Sequence, residues 1–171
     1  MSFIVAGTGS RSLQSASIED KNKAHEIVTN ELIRLRKKYE DLIIMSGMAE
    51  GFDKLLAIVA LELGIPLWCA IPNIKYGDYY WGRKSLTGKN QMDQFNDIIS
   101  HADSVVYIDQ EYGITGLYRD GKHLNFIRNE YMVNAANAFL VWDPSSKGTA
   151  HCFAEIRKAN KPYKILNKEV S

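Results

Sequence analysis

Ser46-Gly47-Met48-Ala49-Glu50-Gly51-Phe52-Asp53 joins the apolar run Leu42-Ile43-Ile44-Met45 to a helical stretch over about 52–63. The run is short, uniformly apolar and rich in isoleucine, as in a strand buried on both faces. Two glycines bracket the small residues that follow. The helix places Leu55, Leu56, Ile58, Val59 and Leu63 inward and stops at Gly64, with Pro66 just beyond. A buried strand turning through glycines directly into an amphipathic helix is the repeating unit of a parallel α/β sheet.

The same unit recurs on either side. Phe3-Ile4-Val5-Ala6 reads as a strand ending in the glycine turn 7–11. Residues 18–38 follow as an amphipathic helix with Ile18, His25, Val28, Leu32 and Leu35 near one face. Downstream, strands are predicted at 66–71, 104–108, 138–142 and 163–166, and helices at 90–101, 124–136 and 149–160. The crossovers are expected to be right-handed. Two segments break this rhythm, 73–89 and 109–123. Their tyrosines, glycines and cations suit packed lids, with Tyr76, Tyr79, Tyr80 and Trp81 available to stack on a flat ligand group.

With 21 Lys and Arg against 20 Asp and Glu, the net charge is +1, so the charge balance favours neither nucleic acid nor an anionic membrane as partner. The opening residues lack the flanks of a secretory signal, and no apolar run approaches the ~18 residues that span a bilayer. A cytoplasmic protein is expected. Cys69 and Cys152 share no metal-type spacing with each other or with the histidines, and read as buried free thiols. Neither a metal nor a cofactor is expected. Near-neutrality at a pI of 7.7 fits a homo-oligomer.

Ligands of open parallel sheets collect outside the carboxyl ends of the strands, where three turns of unusual composition fall. Gly7-Thr8-Gly9-Ser10-Arg11 offers close backbone approach, two hydroxyls and a guanidinium suited to a phosphate. Ser46, Gly47, Met48, Ala49, Gly51 and Asp53 form the second turn at a helix start, with Asp53 also a candidate cap and Glu50 a candidate catalytic carboxylate. The third turn, 143–151, carries Ser146, Lys147, Gly148 and Thr149 into the last helix, with His151 beside them. Arg128, Asn129 and Glu130 follow the second lid and are candidates to face the ligand.

Together these motifs resemble the SLOG superfamily, which includes the DNA-processing protein of natural transformation, the lonely-guy cytokinin-activating enzymes and small YpsA-like proteins of bacteria and phages. The resemblance rests on GTGSR at 7–11, SGMAEGFD at 46–53 with ALELGIP at 60–66, RNEYMV at 128–133 and SSKGTAH at 145–151. It implies an α/β fold: a single Rossmann-like three-layer domain over 1–171 with a mostly parallel sheet. It also implies a site for a phosphorylated nucleotide or nucleotide-derived small molecule, held for sensing or sequestration. Lonely-guy phosphoribohydrolases carry PGGxGTxxE; here Ser145 and Ser146 replace the glycines and Cys152 stands in place of the glutamate. The alternative, N-glycosidic cleavage of a nucleoside monophosphate, would therefore fall to Glu50 or Glu130, and the sequence leaves turnover open. Related proteins pair subunits, which also points to an oligomer.

Overall fold

The computed structural model of the chain describes residues 1–167. Strand β1 (Phe3–Gly9) leads through a 3-10 turn (Arg11–Ser15) to α1 (Ile18–Lys38), β2 (Leu42–Ser46), α2 (Phe52–Glu62) and β3 (Leu67–Ile71). A π-helical turn (Asp78–Arg83) precedes α3 (Met92–His101) and β4 (Ser104–Tyr107). Then come α4 (Ile108–Tyr112), the short strands β5 (Tyr118–Arg119) and β6 (Lys122–His123), α5 (Leu124–Ala135), β7 (Ala138–Trp142), α6 (Lys147–Lys158) and β8 (Tyr163–Ile165).

Six strands form one parallel sheet in the order β4-β3-β2-β1-β7-β8. The chain winds outward from β1 to β4, crosses back to lay β7 against the other side of β1, and winds outward again to β8. Alternation along the strands divides the core. Val5, Ile44, Leu67 and Ile71 pack with α1, α2 and α3, whereas Ala6, Met45, Ala70 and Phe139 pack with α5 and α6. Sheet and helices therefore make three layers, as the apolar strands predict.

Several boundaries differ from the sequence reading, each for a tertiary reason. Gly7-Thr8-Gly9 is not a turn: it continues β1, because Leu140, Val141 and Trp142 of β7 pair with it. Ile108 belongs to α4 rather than to the fourth strand, and α6 starts at Lys147 instead of residue 149. Ile18 stands exposed at the first turn of α1, where Ser17 caps the helix by accepting from Asp20 N–H. Buried Glu31 takes part in the face α1 turns inward, held by Arg34 and by Lys164 of β8. Residues 109–123 contain a β-hairpin turning at Asp120-Gly121, both at positive φ, the Asp-Gly pair that such hairpins favour.

The glycines of β1 answer to packing. A Cβ on Gly9 would lie 2.5 Å from Phe52 Cβ, and one on Gly7 would lie 2.3 Å from Leu56 Cδ2. Both clashes are with α2, so the glycines let that helix sit directly on the strand. Over-packing of this kind costs about 1–3 kcal/mol. Gly9→Ala is expected to lower the unfolding free energy by about that amount in urea titrations.

Candidate functional site

The strand order reverses between β1 and β7, and open α/β sheets leave a crevice at such a switch point. Here it is a cavity of about 220 Å³. The end of β1 supplies Gly7, Thr8 and Gly9; Arg11, Ala49 and Asp53 come from the two segments around the start of α2; Gly148 and Cys152 come from α6. The opposite wall is a stripe of α5, Asn125, Arg128, Asn129 and Met132, spaced i, i+3, i+4, i+7, with Phe126 beside it, and Tyr76 and Tyr80 complete the lining. A larger open depression of about 760 Å³ lies at the other end of α6, around Arg157 and Tyr163. Its Lys158 and Lys161 are engaged by Glu155 and the Ala136 carbonyl.

Arg128 and Asn129 are 7% and 8% exposed, unusually low for such polar groups. Arg128 donates to the Gly47 carbonyl and to Asn129 Oδ1, locking α5 to the turn after β2. Gly47 is small for this reason, since a Cβ there would come within 3.0 Å of Arg128 Nη1. Glu130, two residues on, turns about 200° around the helix from Arg128. It pairs with Lys122 outside the cavity. The structure therefore does not bring Glu130 to the other candidates.

Glu50 is wholly buried, but both carboxylate oxygens are committed to the lid. Oε2 accepts from Ser85 Oγ at 2.8 Å and Oε1 from Leu86 N–H at 3.0 Å. Arg11 Nη2 lies 3.5 Å from Glu50 Oε1, an electrostatic contact without a hydrogen bond, and this buried nitrogen has no partner. Asp53 differs from both glutamates. Its Oδ2 accepts from Ala49 N–H at 3.3 Å rather than capping α2, and its buried Oδ1 has no partner. Burial pushes the Asp53 carboxyl up to about 6, against the opposing pull of Arg128, the Ala49 amide and Arg11.

Other sequence candidates support the walls instead of lining them. Ser10 caps the 3-10 turn, Ser46 ties Met48 N–H to the Asp53 carbonyl, and the Met48 carbonyl accepts from Trp81 Nε1. Trp81 is thus a core residue and not a stacking surface. Gly51, at φ +89°, lies against Ser10 and Arg11, whose backbone atoms a Cβ would meet at 2.5–2.7 Å. Ser146 donates to Thr149 Oγ1 and makes no side-chain cap, so the first-turn amides of α6 have no side-chain acceptor. Lys147 and Gly148 occupy that turn. Burial raises the Cys152 thiol to about 12, which leaves it no thiolate character for nucleophilic chemistry. Among the described residues no group of three or more His, Cys, Asp or Glu is placed to hold a metal ion. Nor is any helix among them long and apolar enough to cross a membrane.

The six-stranded parallel sheet with helices on both faces recurs in other solved structures. The chain has a SLOG-like fold. It is similar to DNA processing protein A of Streptococcus pneumoniae, at 17% identity and TM-score 0.59, covering 97% of this chain and 52% of that one. DNA processing protein A of Helicobacter pylori, described for its single-stranded DNA binding mode, matches at 17% identity and TM-score 0.56, over 97% and 67% of the two chains. The structural-genomics target TM1055 matches at 15% identity and TM-score 0.54, over 95% and 72%. The chain thus spans about half the length of the pneumococcal protein. No family model matches the sequence, and a search of curated proteins finds no match.

Next to this crevice lies a second cavity of about 310 Å³, walled by Tyr76, Tyr79, Tyr80, Leu117, His123 and Asn125 among others. Tyr76, Tyr80 and Asn125 belong to both. Asn125 donates to Tyr80 Oη at 3.0 Å, while Arg11 and Arg128 lie over the rings of Tyr80 and Tyr76. Sequence reasoning missed Asn125, Phe126 and Met132, although the polar i, i+3, i+4 stripe of α5 carried the signal.

The raised Asp53 carboxyl has a consequence for stability. In the folded protein it keeps its proton up to about pH 6, whereas unfolded it loses it near 3.8. The contribution is fully present below about pH 4 and is lost as pH rises through 6. Asp53→Asn, which cannot ionise, should raise the unfolding free energy at pH 8 by up to about 2–3 kcal/mol. Urea titrations should show that gain shrinking to nothing as the pH is lowered toward 4.

Proposed function

We propose that the crevice binds a phosphorylated nucleotide or nucleotide-derived small molecule, for sensing or sequestration. The observation that carries this reading is the pairing of two cavities with opposite chemistry across shared walls. One presents the open first turn of α6, Arg11, whose Nη2 lacks a hydrogen bond, and Arg128, all of which favour an anion. The other presents tyrosine rings and Leu117, which suit a flat apolar group such as a base. A nucleotide has both parts at that separation of character.

Hydrolysis has weaker support. Neither Glu50, spent on Ser85 and Leu86, nor Glu130, paired with Lys122, presents a free carboxylate to the cavity. Single-stranded DNA is a second reading, suggested by the Helicobacter pylori neighbour. Against it stand the net charge of +1 and a cavity sized for a small molecule.

Gly148 allows a direct test, because a side chain there meets nothing within 4 Å. Gly148→Asp places a carboxylate in the first turn of α6, where it favours the helix by about 0.3–1 kcal/mol yet repels a phosphate. Nucleoside monophosphates are expected to raise the melting temperature of the wild type. In Gly148→Asp that shift should vanish while the melting temperature without nucleotide is unchanged or higher, and Glu130→Gln should respond as the wild type does. A shift produced by a single-stranded oligonucleotide and by no mononucleotide would instead favour the DNA reading.

A further inference from the structure

Of the carboxylates Glu50, Asp53 and Glu130, only Asp53 lines the crevice, and their surroundings separate them. Glu50 Oε1 and Oε2 already accept hydrogen bonds from the lid, and Glu130 faces away toward Lys122. Asp53 alone among the three combines a place in the cavity wall with an oxygen that no group satisfies. It is 7% exposed, Oδ2 is taken by the Ala49 amide, and Oδ1 reaches no donor. A buried carboxylate left in this state is costly, and above the pH at which it loses its proton the cost is relieved when something donates to it.

The unmet donors and acceptors of the wall define what that something is. Arg11 Nη2 and the first turn of α6 call for an anionic acceptor, and a phosphate answers them. A phosphate dianion offers Asp53 Oδ1 no donor and would repel an ionised carboxylate. The aromatic cavity takes a base on the far side of Tyr76 and Tyr80. Between phosphate and base a nucleotide carries a sugar, whose hydroxyls are donors without charge. We propose that the Asp53 carboxylate accepts a hydrogen bond from a ribose hydroxyl, so that the site selects ribonucleotides and ribose phosphates over their deoxy counterparts. The inference rests on the nucleotide reading above and adds the sugar to it.

Titration calorimetry of the full chain at pH 8 tests it with defined probes: inorganic phosphate, ribose 5-phosphate, 2-deoxyribose 5-phosphate, and the four nucleoside 5′-monophosphates with their 2′-deoxy and 3′-deoxy forms. A hydrogen bond to a charged group corresponds to roughly a tenfold to hundredfold change in affinity. Loss of one of the two hydroxyls is therefore expected to weaken binding by at least about tenfold in the wild type. In Asp53→Ala the same loss should matter by less than about threefold. Asp53→Asn, which keeps an acceptor for the Ala49 amide, provides the answer if the alanine variant does not fold, and its discrimination should also fall. Equal binding of ribo and both deoxy series by the wild type overturns the proposal and leaves the nucleotide reading standing. Discrimination that survives in both Asp53 variants overturns it equally. If no probe binds at all, the nucleotide reading fails and this one fails with it.

Discussion

The direct seating of α2 on the carboxyl end of β1 governs the rest of the structure. Phe52 and Leu56 occupy the space that side chains at positions 7 and 9 would need, and Gly51 meets the backbone of Ser10 and Arg11. The Phe52 amide completes the junction by donating to the Ser10 carbonyl at 3.2 Å. Two loops far apart in sequence are thereby fused into one wall. Arg11, Ala49 and Asp53 line the crevice together because this helix and strand approach more closely than side chains would normally allow.

Arg128 fastens the opposite wall to that junction. Its guanidinium spans from α5 to the Gly47 carbonyl, so the stripe Asn125, Arg128, Asn129 and Met132 is held at a fixed distance from Asp53. Removing a buried cation of this kind would leave the carbonyl and Asp53 without compensation, a larger loss than the net strength of the contact. The arrangement keeps a carboxylate buried that burial alone would neutralise. A wall held in this strained electrostatic balance is the kind of local inconsistency that proteins keep at functional sites and offset elsewhere. Arg11 Nη2 and Asn125 Oδ1 of the same crevice also lack hydrogen bonds, whereas Ser46 and Glu50 beside it are each given two.

The layers and the strand sequence were legible because fully buried parallel strands are uniformly apolar and each is followed by a helical period. The position of the crevice was legible too, since glycine-rich junctions mark strand ends. The reasons for those glycines were not. Gly7 and Gly9 look like an anion turn when read alone, and only the pairing of Leu140 and Trp142 with them shows that they lie in a strand under α2. Trp81 shows the same limit. An aromatic in a long irregular segment reads as a lid, yet its indole donates to the Met48 carbonyl inside the core. Whether a side chain points in or out of a loop depends on partners distant in sequence, and no local pattern reports it.

Helical segments are the exception, and α5 shows how far periodicity reaches. Arg128, Asn129 and Glu130 are adjacent in sequence, but a rotation of about 100° per residue cannot put all three on one face. Two of them share the stripe with Asn125 and Met132, and the third must leave it. Glu130 does, toward Lys122. That geometry, together with the commitment of Glu50 to Ser85 and Leu86, removes the two carboxylates that sequence reading favoured for chemistry. What remains is a crevice lined by Arg11 and Arg128, whose only free carboxylate oxygen, among these three residues, belongs to Asp53. On the reading proposed above, the donors of this wall suit a charge at one end of a ligand, its tyrosines a ring at the other, and its free oxygen a donor between them.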